Sequence, residues 1–156
     1  MAHAGFTAIH SGRIRFGKDG RWYCDGESIA NAAICRLYAR AMTVGPDGQA
    51  RLELGEDRAE VEIEDTPWVV IGVDGDAARG FVVVLNDETR EPLDVGSLRL
   101  SAEHVPYCRV KGGRFEARMR RAAWYELVRH AEPGADGTCV LRAGPLRVSL
   151  SSSGTR

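Results

Sequence analysis

Six basic side chains within residues 109–121 form the part of the sequence best suited to chemistry with an anion. Only Glu116 opposes them, so the segment carries a net charge of +5. Arginine forks bind phosphate and carboxylate groups through paired hydrogen bonds, and the start of a helix attracts the same anions. The segment therefore predicts an anion site near the start of a helix. Its basic members are Arg109, Lys111, Arg114, Arg118, Arg120 and Arg121.

An acidic segment offers a second explanation for this charge pattern. Residues 47–65 hold eight acidic and two basic side chains, a net charge of −6. Acidic and basic faces of this kind pair with each other or are simply solvated in many proteins. The sequence leaves both alternatives open.

Aromatic residues are the second group that could contact a ligand. Trp68 follows Asp65-Thr66-Pro67 at the start of a predicted strand, where it would either stack on a planar ligand or close the end of a core. Trp124 lies on the apolar side of a predicted helix, which indicates a core position. Tyr125 lies one position off that side and is predicted to be exposed.

From these features we predict one ligand-binding set. Basic side chains would supply charge, an amide and a phenol would donate hydrogen bonds, and an indole would supply a stacking face. The set comprises Arg99, Arg109, Lys111, Asn86, Tyr107 and Trp68.

Catalysis has little support in the sequence. It contains no Gly-x-Ser-x-Gly elbow, His-Glu-x-x-His motif or phosphate-binding loop, and His104 is the one histidine suitably placed for a site. No Cys-x-x-Cys pair occurs among the four cysteines, which argues against zinc and redox sites. We therefore predict a protein that is not an enzyme and has no cofactor and no metal.

The composition sets wider limits. Of the 156 residues, 44% are hydrophobic and 28% charged, with a net charge of −1, as is typical of a soluble globular protein. This balance argues against nucleic acid and anionic membranes as partners. No apolar run approaches the roughly 20 residues needed to span a bilayer, and no secretory signal is evident. We expect a cytoplasmic protein.

The elements that must position these residues are predicted to occur twice. Residues 18–22 are echoed by 111–115, and residues 61–63 by 148–150. Each copy reads as a hairpin, a helix and a hairpin, the first opened by an Asp19-Gly20 turn. The pattern predicts an α+β fold of two tandem hairpin–helix–hairpin units with antiparallel sheets. The predicted segments are a flexible leader (1–12), a first unit (13–75), a second unit (76–150) and a disordered tail (151–156).

Several motifs in this order resemble the bacterial domain-of-unknown-function family DUF1285, over residues 13–150. The motifs are Asp19-Gly20-Arg21-Trp22-Tyr23, Leu37-Tyr38, Val61-x-Ile63-Glu64-Asp65-x-Pro67-Trp68, Pro106-Tyr107-x-x-Val110-Lys111 and Arg121-x-x-Trp124-Tyr125-x-Leu127-Val128.

The resemblance implies a duplicated core whose C-terminal half superficially resembles a pleckstrin-homology fold. It also implies a ligand site at the interface of the halves, for a nucleotide-like molecule, and a role in signalling. The chain departs from the family pattern at residues 85–89 and 96–99, and if these segments line the site, the alternatives are a different ligand or no ligand.

Two hypotheses follow. The first is a non-enzymatic ligand-binding or signalling module that takes a small anionic, nucleotide-like ligand between the two units. The alternative is a protein-interaction adaptor that uses exposed strand edges or Tyr125 and has no small ligand.

Overall fold

The computed structural model describes residues 12–150, so the predicted leader, apart from Gly12, and the predicted tail lie outside the described residues. The chain divides into two compact units between Pro67 and Trp68. Within the described residues, neither helix has the length and apolar character that crossing a membrane requires.

The first unit is built on one six-stranded sheet. Its order is β3-β2-β1-β6-β5-β4, in which β1 and β6 run parallel and every other pair is antiparallel. The strands are β1 (Ile14–Phe16), β2 (Trp22–Cys24), β3 (Glu27–Ser28), β4 (Met42–Val44), β5 (Ala50–Leu54) and β6 (Asp57–Ile63).

Helix α1 (Ala32–Ala41) connects the two halves of this sheet. Its N-cap is Asn31, whose side chain accepts hydrogen bonds from the backbone N–H groups of Ala33 and Ile34. The apolar pattern predicts a helix that starts near Glu27 or Ser28. That start is wrong, because these two residues form β3 and the capping side chain comes later.

Aromatic packing closes the core of the first unit. The Trp22 ring lies 4.9 Å from the Phe16 ring and 5.5 Å from the Tyr38 ring, and all three side chains are buried. Burial raises the pKa of Tyr38 to about 12. Strands β1 and β2 and helix α1 are therefore held together at one point.

The second unit contains a six-stranded sheet of the same topology. Its order is β10-β11-β12-β7-β8-β9, with β12 and β7 parallel and the other pairs antiparallel. The strands are β7 (Trp68–Asp76), β8 (Gly80–Leu85), β9 (Arg90–Pro92), β10 (Arg99–Leu100), β11 (Pro106–Val110) and β12 (Phe115–Met119).

Helix α2 (Arg121–Val128) follows β12 and packs against β7. It buries Ala123 and Leu127, while Trp124 is half-buried. A three-stranded antiparallel sheet of β13 (Glu132–Pro133), β14 (Cys139–Ala143) and β15 (Leu146–Leu150) completes this unit.

The predicted α+β class and duplicated core are confirmed, but two details differ. Each six-stranded sheet has one parallel pair at its centre, because its first and last strands meet there. In the second unit the helix follows the sheet instead of interrupting it, and a 3-10 turn (Val95–Ser97) stands between the third and fourth strands. The sheets therefore repeat as β1–β6 and β7–β12, so the predicted matches of residues 18–22 with 111–115 and of residues 61–63 with 148–150 do not join equivalent strands.

The division between the units also differs from the predicted boundary at residues 75 and 76. The segment that starts at Trp68 reads as a last strand of the first unit. In the structure it is β7, the first strand of the second sheet, and it pairs with β8 and β12. The division consequently falls at the Pro67–Trp68 bond.

Candidate functional site

The turn between β11 and β12 (Lys111 to Arg114, called the basic turn below) is the centre of the candidate site. Lys111 has a φ of +56°, and Gly112 and Gly113 follow at +70° and +80°. Glycine adopts this left-handed conformation without strain, whereas a lysine there costs about 1–2 kcal/mol. Contacts to the Lys111 side chain and backbone must therefore offset this cost.

The Lys111 side chain supplies these contacts. Its ammonium group donates to Asp87 Oδ2 at 2.6 Å and to Thr89 Oγ1 at 3.1 Å. The same nitrogen lies 5.2 Å from the centre of the Trp68 ring. The backbone N–H of Lys111 donates to both carboxylate oxygens of Glu91. The basic turn is thus tied to the β8–β9 connection on the other half of the sheet.

Asp87 is the residue on which this arrangement depends, and it was not predicted. Its side chain is only 7% exposed. Burial raises the pKa of the Asp87 carboxyl, but hydrogen bonds from Lys111 and Thr89 outweigh that effect and hold the pKa below its ordinary value. The signal available in the sequence was an Asn-Asp pair directly after a continuous apolar strand.

This pKa shift predicts a specific acid sensitivity. Because the folded pKa of Asp87 lies below that of the unfolded chain, its contribution to stability is present above the ordinary value of 3.8 and is lost as the pH falls through the folded pKa. Urea unfolding from neutral to strongly acidic solution should show this loss in the wild type. The Asp87→Asn variant should be less stable near neutral pH and should lose less on acidification. An equal loss in both proteins would contradict the assignment.

Two further predicted ligand residues belong to this structural cluster. Trp68 is 6% exposed and packs against Phe115 with ring centres 5.0 Å apart. Asn86 accepts a hydrogen bond from the backbone N–H of Val69 through Oδ1, and its buried Nδ2 has no hydrogen-bond partner within the described part of the chain. The geometry therefore gives Trp68, Asn86 and Lys111 roles in holding the sheet together.

Arg99 and Tyr107 form a separate pair on β10 and β11. The guanidinium of Arg99 lies 4.2 Å from the centre of the Tyr107 ring and makes a two-point ion pair with Glu116 at 2.5 and 2.6 Å. Tyr107 is 8% exposed. Arg99 is therefore already neutralised by a carboxylate.

Arg109 and Arg114 are two basic residues of the segment 109–121 that have no carboxylate partner among the described residues. Arg109 donates from Nε to the carbonyl of Gly113 at 2.8 Å, and Arg114 donates from Nε to the carbonyl of Lys111 at 3.1 Å. Both side chains are exposed. Across residues 12–150, neither forms an ion pair, and their terminal guanidinium nitrogens donate no hydrogen bond. Both arginines are therefore anchored to one turn through Nε, and their terminal guanidinium nitrogens remain available to donate hydrogen bonds to a ligand.

The basic segment 109–121 does not converge on a single point. Arg114 precedes β12 and Arg120 follows it, which separates them by about 20 Å at roughly 3.3 Å per residue. One small anion cannot span that distance. The predicted site near the start of the second helix therefore separates into a basic turn at one end of β12 and a helix start at the other.

The central parallel strands of the first sheet, β1 and β6, carry paired charges. Arg13 and Arg15 on or beside β1 form ion pairs with Glu62 and Glu64 on or beside the parallel strand β6. In the second unit the strand at the position of β1 is β7, where Val69 lies beside Arg118 of β12. At this position the second sheet has Val69 beside Arg118, where the first sheet has Arg15 beside Glu62.

Within the described residues, no cluster of His, Cys, Asp and Glu could hold a metal ion. Burial raises the pKa of the Cys108 thiol to about 12, so this cysteine stays protonated at neutral pH. His104 is exposed in a turn between β10 and β11.

Together these features define a class of α+β proteins with a duplicated, mixed six-stranded core. No protein-family model and no curated protein sequence matches the chain. A solved DUF1285 family protein from Silicibacter pomeroyi DSS-3 is similar in structure, with a TM-score of 0.69 and 17% identity over 98% of this chain and 97% of that chain. A DUF1285 family protein from Shewanella baltica OS155 has a TM-score of 0.58 and 20% identity, covering 77% of this chain and 93% of that chain. The chain has a DUF1285-like fold, which confirms the resemblance at the level of the fold.

Proposed function

We propose that this chain is a non-enzymatic binding module that takes a small anion on the basic turn. The observation that carries the proposal is the pair Arg109 and Arg114, which are exposed, without carboxylate partners and anchored through Nε to carbonyls of the same turn. Anchoring lowers the entropy lost when a guanidinium binds a phosphate or carboxylate group.

The chemistry of the turn favours recognition of the anionic group itself. Trp68, the predicted stacking face for a nucleotide base, is buried beneath Lys111. Phe115 is half-buried, with the Arg114 guanidinium 5.6 Å from its ring centre. A phosphate or carboxylate group therefore suits the turn better than a base does. The family resemblance extends the proposal to a signalling role in a bacterial cytoplasm.

A thermal-shift titration with inorganic phosphate, pyrophosphate and AMP tests the proposal. A ligand at a hundredfold its Kd should stabilise the protein by about 2.7 kcal/mol and raise its Tm. The Arg109→Ala/Arg114→Ala double variant should weaken binding about tenfold or more, since each charge-assisted hydrogen bond contributes roughly 1.5–3 kcal/mol.

Arg58 provides the matched control, because it is an exposed arginine of the first unit. Arg58→Ala removes one exposed positive charge, where the double variant removes two, and should leave the shift unchanged. The proposal fails if no anion raises the Tm at millimolar concentration, or if Arg58→Ala weakens the effect as much as the double variant does.

Tyr125 supports the alternative, a protein-interaction adaptor. This side chain on α2 is 57% exposed, and tyrosine is enriched at the centre of protein interfaces. A partner captured by the wild type but lost with Tyr125→Ala, and kept with the Arg109→Ala/Arg114→Ala variant, would favour the adaptor over the anion-binding module.

A further inference from the structure

The two arginines of the basic turn are held by the backbone of that turn. Arg114 donates from Nε to the carbonyl oxygen of Lys111, and Arg109 donates from Nε to the carbonyl oxygen of Gly113. Both carbonyls belong to residues in the left-handed conformation, with φ angles of +56° and +80°. The positions of the two guanidinium groups therefore depend on the backbone conformation of the turn.

Two carboxylates, one on the β8–β9 connection and one on β9, fix that conformation. Asp87 accepts a hydrogen bond from the Lys111 ammonium group at 2.6 Å. Glu91 accepts from the Lys111 backbone N–H, with its two oxygens at 2.8 and 3.1 Å from the nitrogen. Because a lysine is strained in the left-handed region, contacts of this kind are needed to keep Lys111 there.

Charge alone predicts that Asp87 would oppose anion binding. A carboxylate near an anion site repels the anion, so its removal should strengthen binding. Here, however, the Asp87 side chain is 7% exposed and the Lys111 side chain 20% exposed, and together they form a largely buried pair with no net charge. The pair consequently acts on the site through the position of the turn.

We propose that Asp87 is a positioning residue that strengthens anion binding by holding Lys111, and through it the turn to which Arg109 and Arg114 are anchored. This role rests on the function proposed above for the basic turn. Without the ion pair, an anion would have to order the turn and two long side chains as it binds, and the affinity would fall by the cost of that ordering.

Titration calorimetry with inorganic phosphate, at a temperature where circular dichroism shows every protein to be folded, tests the role. Asp87→Asn should bind phosphate about tenfold more weakly than the wild type, although it removes a negative charge. Lys111→Met/Asp87→Asn leaves the net charge unchanged and no buried charge unpaired, and it should also lose about tenfold.

Glu91→Gln is the matched control. It removes one negative charge beside the same turn but keeps an oxygen that accepts from the Lys111 N–H, so it should bind phosphate at least as tightly as the wild type. An Asp87→Asn variant that binds phosphate as tightly as the wild type, or more tightly, overturns the proposal. Tighter binding would show that the released Lys111 ammonium group contacts the anion itself.

Solvent exchange of the arginine Nε–H protons, measured by NMR without any anion, separates this role from the proposed function. The Nε–H groups of Arg109 and Arg114 should exchange slowly in the wild type and about tenfold faster in folded Asp87→Asn. Equal exchange in the two proteins overturns the positioning role. If exchange accelerates as expected but the wild type binds no phosphate, the proposed function fails while Asp87 still positions the arginines.

Discussion

Replacing Lys111 with methionine should cost about 3–5 kcal/mol of the free energy of unfolding at neutral pH. The substitution keeps most of the side-chain stem over Trp68 but removes the ammonium group that pairs with Asp87. The Asp87 carboxylate would then be buried without a counter-charge, and breaking a buried pair by removing one partner has an effect of this size. The measurement is urea-induced unfolding followed by circular dichroism.

A double-mutant cycle separates the ion pair from other effects of the substitution. Lys111→Met/Asp87→Asn should be much less destabilised than the sum of the single variants, because no unpaired charge remains. Arg114→Met removes an exposed cation from the same turn and should change stability by less than about 0.5 kcal/mol. Additive effects at Lys111 and Asp87 would show that the ion pair does not hold the turn.

The second large effect is expected at Trp68, where Trp68→Ala should cost about 3–5 kcal/mol. The side chain is buried where β7 and β12 pair, against Phe115 and beneath Lys111. Removing it creates a cavity at the centre of the second sheet and takes away the ring that faces the ammonium group. The same unfolding experiment measures the loss.

Tyr125→Ala is the matched control for Trp68→Ala. It removes an aromatic side chain that is 57% exposed in the same unit, and it should change stability by no more than about 0.5 kcal/mol. Trp68→Ala could instead unfold like the wild type but lose affinity for AMP. In that case Trp68 stacks on a ligand, which is one of the two roles that the sequence predicts, and the assignment of a structural role is wrong.

The sequence predicts the strands and the class of the fold better than the connections between strands. The alternation of Val61 and Ile63 with glutamates identifies β6 correctly, and its glutamates are exposed. The parallel pairing of β1 with β6 could not be read in this way, because alternation shows which face of a strand is buried but not which strand lies beside it. Trp68 was assigned to the wrong unit for the same reason.

The sequence identifies basic residues of the candidate site but not the partners with which they pair. The charge pattern identifies Arg109 and Lys111 as members of one basic segment. It does not show that Lys111 is neutralised by Asp87, twenty-four residues earlier in the sequence. Nor does it show that Arg99 is paired with Glu116. Ion pairs between distant residues depend on strand register, which composition and spacing do not determine.

The parallel pair at the centre of each six-stranded sheet has a consequence for how the chain folds. Ile14 pairs with Val61 and Trp68 pairs with Ala117, so each sheet closes only when its first and last strands meet. Closure across such a long stretch of sequence is slow, since the chain loses the entropy of the whole loop before the contact forms. On the ribosome, the first unit should therefore stay open at β1 until β6 has emerged, while the antiparallel half made of β1, β2 and β3 can form beforehand.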